Sequence, residues 1–139
     1  VSYRPLSEAD IEPYVALEHY AFRVNPDRSG LDAARMAGFR GLFADGRLAA
    51  QLEIIPLRVQ SGMGELRAAG IGSVATAPEL RRRGHTAALL RQACAELRDD
   101  GVAFCILYPF KRSFYGRYGW ATFVERRAYS GPPERFAPF

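Results

Sequence analysis

Apolar and polar positions along this chain follow two periods in turn, and the changes of period mark out its elements. Val1 to Pro5 alternates weakly, as a first strand would, and Ser7-Glu-Ala-Asp10 follows. Pro13 sets where the first helix can begin, because proline is tolerated in a first helical turn, where no N–H bond is lost, and is damaging deeper inside. A start near Asp10 satisfies that condition; Tyr14, Leu17 and Ala21 then recur at helical spacing to about Phe22, and Asn25-Pro26-Asp27 ends the pattern. Residues 29 to 38 suggest a second short helix. Phe39 to Ala44 and Arg47 to Val59 read as strands joined by Asp45-Gly46, a pair suited to the positive φ angles of a tight hairpin turn. Ser61-Gly62-Met63-Gly64 reverses the chain again. Glu65 to Thr76 then reads as a strand whose glycines at 70 and 72 predict a bulge or a close backbone approach.

After Pro78, the residues Leu90, Ala93, Cys94 and Leu97 line one face of a helix that runs to about Arg98, with Gly101 as its stop signal. The continuous apolar run Ala103 to Tyr108 predicts a strand covered on both faces. Strand, helix and strand at this spacing form a βαβ unit, so the two strands should be parallel with a right-handed crossover. A turn or short helix around residues 111 to 117 and a last strand, Trp120 to Tyr129, complete the pattern. The expected fold class is therefore α/β. One domain spans residues 1–130, and residues 131–139 form a linker-like tail that can lead to further domains.

Composition narrows the function classes. The 139 residues suffice for one hydrophobic core and not for two. No apolar run approaches the ~20 residues of a membrane helix, and the start VSYRPLSEAD lacks the apolar stretch of a secretion signal. These features predict a cytoplasmic protein with no membrane partner. Cys94 and Cys105 have neither metal-ligand spacing nor a companion histidine, so they predict core positions with no disulfide and no metal site. A formal net charge of +4 suits an anionic ligand such as a nucleotide cofactor. It falls short of the basic stripe of a nucleic-acid binder, and a nucleic-acid partner ranks last among the readings.

The segment Val74-Ala-Thr-Ala-Pro-Glu-Leu-Arg-Arg-Arg-Gly-His-Thr-Ala87 carries the strongest chemical signal. A turn leaves a strand and opens a helix, and Arg81, Arg82 and Arg83 sit where the helix is expected to begin. A helix N-terminus already carries partial positive charge and free N–H groups, so cations there are unfavourable unless an anion joins them. Free amides around residues 82 to 87, close backbone approach at Gly84 and flanking guanidiniums together form a plausible pyrophosphate cradle. A solvated arginine face, with part of its charge paired to Glu79, is the plainer alternative. A Walker P-loop and a dinucleotide fingerprint are both excluded, since neither glycine pattern occurs at this turn.

Arg81-Arg-Arg-Gly84-His85-Thr86 resembles the acyl-CoA pyrophosphate signature of the GNAT N-acetyltransferases, with Thr86 standing where many members carry Gly or Ala. The longer string AGIGSVATAPELRRRG, followed by Phe114-Tyr-Gly-Arg-Tyr-Gly-Trp120, is similar to the N-terminal acetyltransferase domain of the Eis-type (enhanced intracellular survival) branch. The resemblance implies a GNAT fold: a mixed central sheet with splayed parallel strands and flanking helices. It implies acetyl-CoA as acyl donor, with backbone groups of Val74, Ala75 and Thr76 pairing with the pantetheine arm. Arg81, Arg82, Arg83, Gly84, His85, Thr86 and Ala87 would hold the diphosphate. It further implies direct acetyl transfer to a primary amine, on an aminoglycoside-like small molecule or a protein lysine, and a homo-oligomeric assembly.

Such a transfer needs a deprotonated amine, stabilisation of the oxyanion and a proton for the departing thiolate. The resemblance assigns that proton to Tyr115; from the residues alone, Tyr115 also fits a packing role in the aromatic cluster Phe110, Phe114, Tyr118 and Trp120. No base stands out. Glu53, His85 and His19 are weak substitutes, and an acyl-enzyme on Cys94 or Cys105 is disfavoured by their apolar surroundings. A second class of function is a CoA-binding or assembly module whose activity depends on further C-terminal domains.

Overall fold

Five strands pair in sequence order into one mixed sheet: β1 (Ser2–Pro5), β2 (Phe39–Ala44), β3 (Arg47–Ser61), β4 (Gly64–Thr76) and β5 (Phe104–Ile106). The computed structural model describes residues 1–62, 64–125, 128, 130–132 and 135. The chain divides into two compact units, Val1–Tyr108 and Pro109–Phe139, and the whole sheet lies in the first. The first four strands are antiparallel neighbours, and β5 joins β4 in parallel. The β2–β3 hairpin turns on Asp45 (φ 50°) and Gly46 (φ 75°), the two positive φ values that a two-residue turn matched to strand twist requires.

Helix α1 (Ile11–Phe22) and the single turn α2 (Ala33–Met36) precede β2, and α3 (His85–Asp99) links β4 to β5. Neighbouring residues of β2 separate the two faces. Phe39 packs with Tyr14 and Val15 of α1, whereas Arg40 reaches Glu96 of α3 at 2.5 Å. Successive strand side chains point to opposite faces, so α1 and α3 cover opposite sides of the sheet. The core on the α1 side is built from Leu6, Tyr14, Leu17, Leu31, Met36, Phe39, Phe43 and Leu48, all buried. On the α3 side Leu90, Ala93 and Leu97 are buried, as their helical spacing predicts, and Leu89 is buried with them. Cys94 is half-buried beside this stripe.

Polar fastenings hold both helices. The Tyr3 hydroxyl donates to Glu96 Oε2 at 2.5 Å, and Arg40 Nε donates to both oxygens of the same carboxylate at 2.9 Å. One residue of α3 is thereby tied to β1 and β2. At the start of α1, Asp10 accepts both nitrogens of the Arg4 fork, at 2.7 and 2.8 Å, and the Ser7 amide and hydroxyl, each at 2.8 Å.

Three expectations change. The strand expected over Ala103 to Tyr108 is only three residues long, and Phe104 and Ile106 stand 36% and 40% exposed rather than covered on both faces. Its apolar composition reads as two-sided burial, but β5 is a short strand at the end of this sheet, and among the described residues no further strand pairs with it. Of the last expected strand, residues 120–125 form none, and Arg126, Arg127 and Tyr129 lie outside the described residues. Most of the expected tail, and Met63 of the expected reversal, also lie outside them. Finally, the arginines precede the long helix rather than opening it, because Arg82 (φ 62°) and Gly84 (φ 80°) are left-handed and helical geometry starts at His85.

The Arg4 guanidinium, with the Ser7 donors, lowers the Asp10 carboxyl from 3.8 to about 2. A depressed carboxyl stabilises above its unfolded value, and that contribution is lost as pH falls through the folded one. Asp10→Asn should cost about 1–2 kcal/mol at pH 7, moderated by solvent on the half-exposed Arg4. Urea denaturation should show the difference closing between pH 4 and pH 2.

Candidate active site

β4 is paired with β3 along its length except at Ser73 and Val74, and with β5 along a fraction of it. Ala68, Ala69 and Gly70 pair with Phe104, Cys105 and Ile106, and there the parallel ladder stops. From Ile71 to Thr76 the side of β4 away from β3 has no strand among the described residues, so its backbone groups face an open wedge. Backbone N–H and C=O groups need partners, and an extended arm entering the wedge would find them on Val74, Ala75 and Thr76.

The bulge expected from the glycines is present one residue further on. Gln51 pairs with Ala75 and Glu53 with Gly72, so two steps on β3 span three on β4. The extra residue falls at Ser73–Val74, and Ser73 takes a positive φ of 47°. Bulges bend a strand and increase its local twist, which is how β4 can follow β3 while parting from β5.

The wedge is followed by the arginine turn. Gly84 occupies the N-cap of α3 without a side-chain cap, so the first amides of a fifteen-residue helix are left to solvent or a ligand. Arg81, Arg82, Arg83 and Gly84 are exposed, while His85, Thr86 and Ala87 are half-buried. Glu79 does not neutralise the cluster, because its carboxylate pairs with Arg47 at 2.5 Å. Among the described residues no ion pair holds any of the three arginines, although Arg81 lies over the Tyr20 ring at 5.1 Å. Thr86 fits its place through a hydroxyl contact of 2.6 Å with Thr76, which ties the end of β4 to the first turn of α3.

Other candidates separate by environment. Glu53 is an ion-pair partner of Arg35 at 2.6 Å. His19 is exposed on α1. Cys94 and Cys105 face each other across α3 and β5 as free thiols, and burial raises both, Cys105 to about 11, which disfavours the thiolate. Sequence reasoning passed over Glu18, which is 5% exposed on α1 and accepts a bond of 2.8 Å from Gln51 Nε2. Its signal was present: Glu18 follows Tyr14 by four residues and Leu17 by one, which puts a carboxylate on the buried stripe of the helix.

In the second unit, α4 (Arg112–Gly116) carries Tyr115. Its ring is buried against Phe114, Phe110 and Trp120 at centroid distances of 5.1, 5.7 and 6.3 Å. Burial raises the phenol, so the hydroxyl keeps its proton at neutral pH. Among the described residues, no group is arranged to hold a metal ion and no helix is long and apolar enough to cross a membrane.

A Cβ added at Gly84 would meet nothing within 4 Å, so any cost of Gly84→Ala comes from backbone conformation alone. We expect about 1–2 kcal/mol for the left-handed angle, measured by urea denaturation.

Comparison with known proteins bears on the fold and the family. The family model described as "Acetyltransferase (GNAT) domain" matches residues 2–123. A search of curated proteins finds no match. Among solved structures, a conserved protein of unknown function from Enterococcus faecalis V583, named a probable N-acyltransferase, is 27% identical with a TM-score of 0.72. That alignment covers 85% of this chain and 31% of the other. N-acetylglutamate synthase from Neisseria gonorrhoeae, complexed with coenzyme A and L-arginine, is 18% identical with a TM-score of 0.74, over 88% of this chain and 28% of that one. Eis1 from Mycobacterium abscessus is 19% identical with a TM-score of 0.72, over 86% and 31%. The last two show a shared fold, and this chain spans about a third of the length of all three. The mixed sheet with flanking helices is the GNAT fold, and with the family match running over residues 2–123 the chain belongs to the GNAT acetyltransferase family.

Proposed function

We propose that this chain binds acetyl-CoA and carries its acetyl group directly to a primary amine, as a domain of the Eis-type branch. The observation that carries the reading is the wedge between β4 and β5, followed by an uncapped helix N-terminus and three arginines without carboxylate partners. An extended arm and a diphosphate are what such an arrangement binds: strand-edge groups of Val74, Ala75 and Thr76 for the first, the turn from Arg81 to Ala87 for the second.

Acetyl-CoA supplies the thioester. The amine forms a new C–N bond at the carbonyl carbon while the C–S bond breaks, and the departing thiolate takes a proton. Tyr115 is the donor in this reading, supported by its place in the Tyr115-Gly-Arg-Tyr-Gly119 motif and by a phenol that stays protonated. The acceptor is a small polyamine of aminoglycoside type or a protein lysine, and the assembly is homo-oligomeric. Two facing free thiols fit a reducing compartment, in keeping with a cytoplasmic setting. A second reading is a CoA-binding module that needs further domains for turnover. It is motivated by the lack of an evident general base in the sequence.

Calorimetric titration with acetyl-CoA tests the binding half. Arg82→Ala/Arg83→Ala should weaken binding about 10- to 100-fold, since two charge-assisted contacts are lost. No binding by the unaltered chain would reject the reading. Tyr115→Phe should lower kcat about 100-fold and leave the acetyl-CoA affinity unchanged. Unaltered turnover would remove Tyr115 from the mechanism, and binding without turnover by the unaltered chain would favour the module.

A further inference from the structure

Among the described residues, three arginines of the first unit lie over aromatic rings, and they differ in what else they hold. Arg4 lies over Phe43 at 4.0 Å and Arg35 over Phe39 at 4.6 Å, yet each also donates to a carboxylate, Asp10 and Glu53 respectively. Arg81 lies over the Tyr20 ring at 5.1 Å, and among the described residues it has no ion pair or side-chain hydrogen bond besides. The difference decides what each guanidinium can still do. A carboxylate takes the N–H donors of an arginine and offsets its charge; an aromatic ring attracts the charge through its quadrupole and occupies no donor. Arg4 and Arg35 are therefore committed as fastenings, whereas Arg81 is held with its charge and its donor fork free.

The main chain at Arg81 is set as well. It follows the 3-10 turn Pro78–Leu80, its N–H donates to the Pro78 carbonyl at 3.4 Å, its backbone is extended (φ −62°, ψ 159°), and the next residue is left-handed. What is left to move is the long side chain, and an arginine loses much rotamer freedom when a ligand orders it. Tyr20 stands in the last turn of α1, 39% exposed and apart from the buried Tyr14, Val15, Leu17 and Glu18 of that helix. A ring from a different element thus gives the side chain a second fixed point, and does so without neutralising it.

We propose that Tyr20 is a positioning residue of the acyl-donor site: its ring pre-orders the Arg81 guanidinium, which then meets a phosphate oxygen of acetyl-CoA with its donors free. The inference rests on the acetyl-CoA reading, in which the turn from Arg81 to Ala87 holds the diphosphate. Because part of the ordering cost is met before the ligand arrives, the ring raises affinity without adding a contact to the ligand. Tyr20 acts through the arginine, so its whole effect should vanish once the guanidinium is gone.

Calorimetric titration with acetyl-CoA tests this on the unaltered chain, Tyr20→Phe, Tyr20→Leu, Arg81→Ala and the double variant Tyr20→Leu/Arg81→Ala. Tyr20→Leu should weaken binding about 3- to 5-fold, and Tyr20→Phe, which keeps the ring, should bind as the unaltered chain does. Arg81→Ala should weaken binding about 10-fold, and adding Tyr20→Leu to it should change nothing further. A purely structural role for the ring would instead weaken both backgrounds alike. Unchanged affinity in Tyr20→Leu or in Arg81→Ala, or additive losses in the double variant, would overturn the role of Tyr20 and leave the acetyl-CoA reading intact. Absence of binding by the unaltered chain would overturn both. A second measurement does not depend on how the leucine variant folds. In ¹³C-tyrosine-labelled chain the Tyr20 ring signal, identified by its loss in Tyr20→Phe, should shift in Arg81→Ala and again when acetyl-CoA binds the unaltered chain; a signal that neither change moves overturns the proposal.

Discussion

The molecule is organised by a conflict over β4, which must remain a full partner of β3 and yet leave β5 after three residue pairs. A parallel neighbour all the way to Thr76 would saturate its backbone, and a strand without β5 would lose the βαβ unit that carries α3. The compromise is the extra residue at Ser73–Val74. It lets the antiparallel ladder resume at Ala75 while the parallel one ends at Gly70. Both the wedge and the placement of α3 behind it depend on that one irregularity, and the positive φ of Ser73 is its local cost.

Carboxylates around this frame divide according to their partners. Asp10 and Glu96 each receive an arginine fork and serve as fastenings, so both are held below the usual carboxyl range. Glu53 has one arginine at the edge of the α1 face. Glu18, deepest of the four, accepts from the Gln51 amide. A chain with eighteen arginines thus anchors its helices through Asp10 and Glu96 and leaves its most buried acid to an amide.

Much of this was legible in the residues, for identifiable reasons. The β2–β3 hairpin follows from Asp45-Gly46, because few other pairs accept two positive φ angles, and α1 follows from Pro13 and the Tyr14, Leu17, Ala21 spacing. The bulge was announced by Gly70 and Gly72, although it lies at the next residue, and the parting of β4 from β5 was implied by the family resemblance. The arginines were misplaced by one turn, since their position depends on left-handed backbone at Arg82 and Gly84, which a helical pattern does not encode. Burial of β5 was overstated because apolar composition does not say which neighbours are present. The facing thiols and the Arg35–Glu53 pair join residues distant in sequence, and no local period reports such meetings. For Tyr115, packing among aromatics was legible from their density, and its chemical role rests on the motif.

The diversion of Glu79 to Arg47 has a kinetic consequence. With Glu79, the carboxylate nearest in sequence, paired to Arg47, the arginine turn projects a positive field beyond van der Waals range, reinforced by the dipole of the helix behind it. A polyanion approaching from solution is then drawn in and oriented before contact, so its encounter rate should fall with ionic strength while its escape rate, set by short-range contacts, hardly changes. Arg47, by pairing with Glu79, keeps that carboxylate from compensating the turn's arginines.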